Sequence, residues 1–178
     1  MDKVPNRITA VRILSIPVLM YFLLSGMDLA ALALFLFSSV TDFLDGYIAR
    51  RGGHVSAFGK FADPIADKVL VSTVFITFIQ LDELSAVIVV IVVAREFLVT
   101  GLRLVGSARD LVISASPLGK AKTVTQIVLI ASILVVRHWN LGTLAGYLPV
   151  ITYLMVAATL LSGTDYAYRN KRLIEDVF

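Results

Sequence analysis

Apolar residues fall in blocks of membrane-spanning length, separated by short polar stretches. The blocks are Ile8 to Leu24, Leu29 to Ala49, Ala66 to Gln80, Leu84 to Gly106, Ala121 to Val136 and Leu141 to Ala158. A spanning helix needs about 20 mostly apolar residues, so the pattern predicts six transmembrane helices. The third and fifth blocks are short, and their helices are expected to continue into the flanking polar residues. The first block lacks the small-residue cleavage site of a secretory signal peptide and reads as a retained helix. Its Arg12 lies about one turn inside, where a long side chain can reach back to the headgroups. Without a linker, a low-complexity tract or an internal repeat, residues 1–178 read as one domain.

Composition narrows the class. The chain is 58% apolar and 16% charged, whereas roughly a quarter of a soluble domain is charged. A soluble domain of this size would leave much of that apolar surface exposed, which disfavours a cytosolic enzyme, a nucleic-acid binder and a disordered chain. Cysteine is absent, so disulfides, thiolate catalysis and cysteine-held metals are excluded. With His54 and His138 the only histidines, metal ligands are expected to be carboxylates.

The sixteen lysines and arginines set the orientation. Lys3, Arg7 and Arg12 open the first helix, and Arg50, Arg51, Lys60 and Lys68 surround the connection between the second and third. Arg103, Arg109, Lys120 and Lys122 flank the fourth connection; Arg169, Lys171 and Arg172 close the chain. All fall on one side. The other side has Arg137 with the acidic Asp28, Asp82 and Glu83, and Arg95 lies within the fourth helix. The expected class is an all-α integral membrane protein with six transmembrane helices and both termini cytoplasmic.

Carboxylates then stand where a bilayer disfavours them. Asp42 and Asp45 lie inside or at the edge of the second block, where each charge costs a few kcal/mol on insertion scales. Three residues apart on a helix they share a face, which Gly46 and Ala49 extend with almost no side chain. Asp63 and Asp67 repeat the arrangement after a connection containing Gly52, Gly53 and Gly59. Four like charges at one membrane boundary need compensation, and hard divalent cations held through oxygen supply it. Magnesium or manganese, as one or two ions, fits best, and such ions recruit phosphate oxygens, so the open groove suggests a pyrophosphate substrate. Simpler readings exist: Asp63 before Pro64 also fits a helix N-cap with proline at the first position, and Asp67 with Lys68 a snorkelling pair.

Asp42-x-x-Asp45-Gly46-x-x-Ala49-Arg50, eight residues, then Gly59-x-x-x-Asp63-x-x-x-Asp67 resembles the full signature of the CDP-alcohol phosphotransferases. Pro5-Asn6-x-x-Thr9-x-x-Arg12, Asp63-Pro64-Ile65-Ala66-Asp67-Lys68, Arg95-Glu96 with Leu102-Arg103, and Gly119-Lys120-x-Lys122-Thr123 extend the resemblance to the branch that makes phosphatidylglycerophosphate. The resemblance implies a six-helix enzyme of the bacterial cytoplasmic membrane, its active site near the cytoplasmic face. It would move a phosphatidyl group from CDP-diacylglycerol to sn-glycerol 3-phosphate and release CMP; metal-assisted direct in-line displacement is expected on chemical grounds, because an acceptor hydroxyl held beside Asp67 needs no covalent phosphatidyl-enzyme. The resemblance further implies Asp42, Asp45 and Asp63 as principal metal ligands, with Asp67 as general base and a ligand to the second of two Mg2+ or Mn2+ ions. Asp42, Asp45, Gly46, Ala49, Arg50 and Gly59 would bind CDP-diacylglycerol, Arg50 meeting a phosphate.

A charged acceptor needs a cationic pocket, and Arg103, Arg109 and Lys120 are the candidates for its phosphate. Positive-inside bias alone can also place these residues, and Arg95 with Glu96 can be a structural ion pair. Trp139, Tyr147 and Tyr166 read as interfacial anchors, and His54 as a solvated loop residue. A homodimer is the expected assembly, although Gly142-x-x-x-Gly146 alone is a weak pointer to its interface. Two alternatives stand beside this reading. One is a related synthase making cardiolipin or a phosphatidylinositol phosphate. The other is a divalent-cation transporter, which the one-sided clustering of the acids and the lack of paired broken helices oppose.

Overall fold

The computed structural model describes the backbone of residues 3–52, 57–109 and 116–171, and the side chains of residues 11–41, 65, 68–107, 109 and 116–171. Seven helices and no strand occur among them: α1 Lys3–Leu24, α2 Asp28–Gly52, α3 Ala57–Gln80, α4 Ala86–Ala108, α5 Pro117–Trp139, α6 Gly142–Ala145 and α7 Leu148–Arg169. The six long helices follow the six apolar blocks. The third and fifth extend into polar sequence as expected. The sixth differs: α6 ends after one turn, and α7 runs eleven residues past Ala158. Pro149 has no N–H for the Ala145 carbonyl, which accounts for the break.

By its contacts the chain divides into two compact units, residues 1–84 with Arg137–Trp139, and residues 85–136 with 140–178. In the first, α1 packs on both α2 and α3. Leu19 and Leu23, Ala31 and Phe35, and Leu70, Val74 and Phe78 recur at four-residue spacing, each 1% exposed or less. Such spacing stacks side chains on one face of each helix. The turn between α1 and α2 passes through Gly26 at φ +71 with open space around it, so a side chain there would meet backbone strain and no clash. Two expectations change in this unit. Arg12 is only 5% exposed, because α1 starts at Lys3 and carries it more than two turns inside. Asp63 and Pro64 lie in the second turn of α3, so the N-cap reading of that pair is excluded.

In the second unit α4 packs on α7. Ser85 caps α4 by accepting from the Val87 N–H, and Ser116 caps α5 by accepting from the Gly119 N–H at 3.1 Å, with Pro117 in the first turn. Serine at the cap and proline just inside are the strongest local start signals available here. Asn140 ends α5 in the left-handed conformation. Across α7, Thr152, Met155, Thr159, Ser162 and Tyr166 face inward, while Tyr153, Leu154, Leu160 and Leu161 are all more than half exposed. Polarity is therefore inverted, with hydroxyls inside and apolar side chains outside, as a lipid surround favours. The buried hydroxyls bond their own helix: Thr152 to the Leu148 carbonyl and Thr159 to the Met155 carbonyl, both at 2.8 Å.

By length and composition, α5 and the run Gly142–Arg169 can each cross a membrane. Trp139 and Tyr147 are exposed, in keeping with the anchoring role expected of them, whereas Tyr166 is 3% exposed and is not an anchor. Gly142 has nothing within 4 Å of where a Cβ would sit, so it is not a close-approach site within the chain.

Candidate active site

The carboxylate positions lie on regular helix. Positions 42, 45, 46 and 49 fall within α2, and 59, 63 and 67 within α3. Separations of three, four and seven on one, and of four and eight on the other, place each set along one helix face. The backbone of α3 passes through Pro64, which has no N–H to give the Lys60 carbonyl four residues back. The side chains of Asp42, Asp45, Gly46, Ala49, Arg50, Gly59, Asp63 and Asp67 lie outside the described residues, as does His54. Among the described residues no cluster of acidic or histidine side chains is arranged to hold a metal.

The second unit holds a buried ionic group. Glu96 on α4 and Lys122 on α5 form an ion pair, each 2% exposed. Arg95 reaches the same carboxylate, Nη1 to Oε1, at 3.4 Å. The Arg95 stem passes Gly163 of α7, where a Cβ would come within 3.3 Å of its Cγ. Its Nη2 lies 4.0 Å from the Cβ position of Gly119 in the first turn of α5. Glycine at 163 keeps α7 close enough to α4 for this passage. Further along α4, the Arg103 guanidinium stands 5.7 Å from the centre of the Tyr166 ring, within the range of a cation–π contact. Arg95 thus meets Gly163, and Arg103 meets Tyr166. The contacts advance together along both helices, so α4 and α7 run parallel.

The three residues expected at the acceptor phosphate all belong to this unit. Arg103 is on α4, Arg109 is its C-cap and Lys120 is in the first turn of α5, each exposed. The arrangement gives a cationic end to the unit. Its deeper members, Arg95 and Lys122, are tied to a buried carboxylate.

The first unit has its own ionic cluster, formed by the charges that the sequence places on the opposite side. Arg137 Nε lies 3.2 Å from Asp28 Oδ1 and 3.3 Å from its Oδ2, and Arg137 Nη1 lies 3.6 Å from Glu83 Oε1. This gathers the end of α5, the start of α2 and the α3–α4 connection. Burial raises the Glu83 carboxyl above its ordinary range; Arg137 opposes the shift and Asp28 adds to it.

A family model described as CDP-alcohol phosphatidyltransferase matches residues 2–162. The chain belongs to this family. A CDP-diacylglycerol–glycerol-3-phosphate 3-phosphatidyltransferase of Bacillus subtilis is 37% identical, over 96% of both chains. One of the same name from Rickettsia prowazekii is 39% identical over 94% of both. A probable phosphatidylglycerophosphate synthase of Mycobacterium tuberculosis is 35% identical over 94% of this chain and 81% of its own. The phosphatidyltransferase match spans both compact units.

Sequence reasoning missed two residues in this site. Lys122 reads as one more loop cation, yet it is the buried one, and Lys120, two positions earlier, is exposed. A helix start read from Ser116-Pro117 would have revealed it, since Lys122, Gln126, Leu129, Ile130 and Ile133 then line one face. Tyr166 lies beyond the expected end of its helix; only when the helix is extended does the spacing Thr152, Met155, Thr159, Ser162, Tyr166 put it on the inward face.

Proposed function

We propose that this protein transfers the phosphatidyl group of CDP-diacylglycerol to sn-glycerol 3-phosphate, giving phosphatidylglycerophosphate and CMP. The observation that carries the reading is the eight-position signature, seven of whose positions fall along single faces of α2 and α3, in a chain that aligns nearly end to end with transferases of that name. The C1 hydroxyl oxygen of the acceptor attacks the diacylglycerol-bearing phosphorus, the bond from that phosphorus to the bridging oxygen breaks, and CMP leaves with it. Asp67 accepts the hydroxyl proton. No covalent phosphatidyl-enzyme is needed when the hydroxyl is held in line beside this base.

Asp42, Asp45, Asp63 and Asp67 offer oxygen donors only, a set that fits hard divalent cations, and they would hold two Mg2+ or Mn2+ ions. Neutralising charge on the pyrophosphate is the chemistry that such ions supply when bound. Gly46, Ala49 and Gly59 leave room for the nucleotide beside the helices, and Arg50 meets a phosphate. Arg103, Arg109 and Lys120 receive the acceptor's phosphate.

All six long helices span the bacterial cytoplasmic membrane in this reading, with both termini and the active site at the cytoplasmic face. The segregation of basic residues and the meeting of Arg137 with Asp28 and Glu83 at the other ends of their helices support that topology. The chain works as one domain, for which the family match across both units speaks, and assembles as a homodimer. Purified protein given CDP-diacylglycerol and labelled sn-glycerol 3-phosphate should move label into the lipid phase. Failure to do so in the presence of Mg2+ or Mn2+ overturns the reading.

A further inference from the structure

Tyr166 is 3% exposed, and its buried hydroxyl, which Arg103 approaches as a donor, has no acceptor for its own proton. A phenylalanine would fill the same space without that penalty, so the hydroxyl is a group whose acceptor is missing. The character of the partner follows from the neighbours. The hydroxyl lies within electrostatic reach of Arg103 and Arg95. Arg95 Nε is also buried with no acceptor. Arginine only donates. Glu96 is engaged by Lys122 and Arg95, and Asp165, next to Tyr166 in the chain, accepts from Arg169 Nε through Oδ1 at 2.6 Å while its Oδ2, buried without a partner, does not bond the tyrosine hydroxyl. A tyrosine O–H therefore stands beside the Arg103 guanidinium, with Arg95 in electrostatic reach, and an acceptor-only anionic oxygen such as a phosphate's would answer such a set of donors.

We infer that Tyr166 is a binding residue for the acceptor's phosphate: its ring seats Arg103, and its hydroxyl donates to a phosphate oxygen. This rests on the assignment of Arg103 to that phosphate. A phospholipid headgroup offers the same oxygen chemistry, and the two sources separate by which substrate responds.

Tyr166→Phe keeps the ring and removes the hydroxyl, while Tyr166→Leu removes both. The Phe variant should raise KM for sn-glycerol 3-phosphate about tenfold, the loss typical of one hydrogen bond to a charged group, and leave kcat and KM for CDP-diacylglycerol unchanged. Its Tm without substrate should equal or exceed that of the wild type, and saturating sn-glycerol 3-phosphate should raise that Tm by less. Tyr166→Leu should raise the same KM further. Weaker binding with undiminished stability marks a group kept for a ligand; a structural residue would lose stability instead. If Arg103→Ala raises KM for sn-glycerol 3-phosphate and Tyr166→Phe does not, the inference on Tyr166 falls and the pocket stands. If Arg103→Ala has no effect, both fall. A rise in KM for CDP-diacylglycerol alone assigns the hydroxyl to the lipid phosphate and overturns the proposal.

Discussion

Replacing Lys122 by methionine strands the Glu96 carboxylate inside the second unit. Both partners are 2% exposed, so neither charge can be rehydrated in place, and removing one member of such a pair costs about 3–5 kcal/mol. Arg95 at 3.4 Å from Glu96 Oε1 retains part of the compensation, which puts Lys122→Met near the lower figure, at about 3 kcal/mol. Glu96→Leu leaves a buried ammonium and should cost a similar amount or more. The double variant removes both of these charges and keeps apolar volume but leaves Arg95 without its carboxylate, so it should be less stable than the wild type, yet by less than the two single losses added together. Denaturant-induced unfolding of the four proteins in one detergent, arranged as a double-mutant cycle, measures this directly. A coupling of at least about 2 kcal/mol is expected, because contacting charged residues are strongly non-additive. Additivity within about 0.5 kcal/mol would refute the argument that the pair is desolvated and mutually dependent.

Four further outcomes follow from the site and its surroundings. Asp67→Asn should abolish most turnover while CDP-diacylglycerol still binds, and a donor chiral at the reacting phosphorus should give inverted product; retention, or CMP exchange without acceptor, would indicate double displacement. Chelation of divalent cations, Asp42→Asn or Asp63→Asn should each lower activity by several orders of magnitude in protein that still inserts, and full activity in chelator would exclude the metal. Arg103→Ala and Lys120→Ala should raise KM for sn-glycerol 3-phosphate far more than that for CDP-diacylglycerol, by about 2 kcal/mol in kcat/KM; an effect on the lipid donor alone would overturn the division of roles. Burial raises the Glu83 carboxyl above its ordinary value, which is about 4.3. Its stabilising contribution is complete below that value and is lost as pH rises through the raised one. Glu83→Gln should therefore gain stability relative to the wild type across that rise and be at least as stable at pH 7, as unfolding curves at a series of pH values would reveal.

The course of the helices was largely legible because apolar blocks act over many residues and tolerate local error. Where borders moved, short-range chemistry prevailed. Ser116-Pro117 starts α5 ahead of its apolar block, Pro149 separates α6 from α7, and Ser162 bonds the Thr159 carbonyl, so a polar residue does not end the helix. Burial was less legible, since hydropathy cannot tell an inward polar residue from one at the boundary. Arg12 and Tyr166 both read as interfacial for that reason, and both are buried. The signature aspartates stand out by type and spacing, and their positions do fall along single faces of α2 and α3. The Glu96–Lys122 pair joins residues 26 apart in sequence and becomes visible only when α4 and α5 are brought together.

The most direct test of the account is the release of CMP from CDP-diacylglycerol by purified protein, scanned over acceptor alcohols. One CMP should appear for each phosphatidylglycerophosphate formed when sn-glycerol 3-phosphate is present, with little from inositol phosphate, phosphatidylglycerol or serine. CMP release that favours one of those other acceptors, or none with any of them, would contradict the assignment.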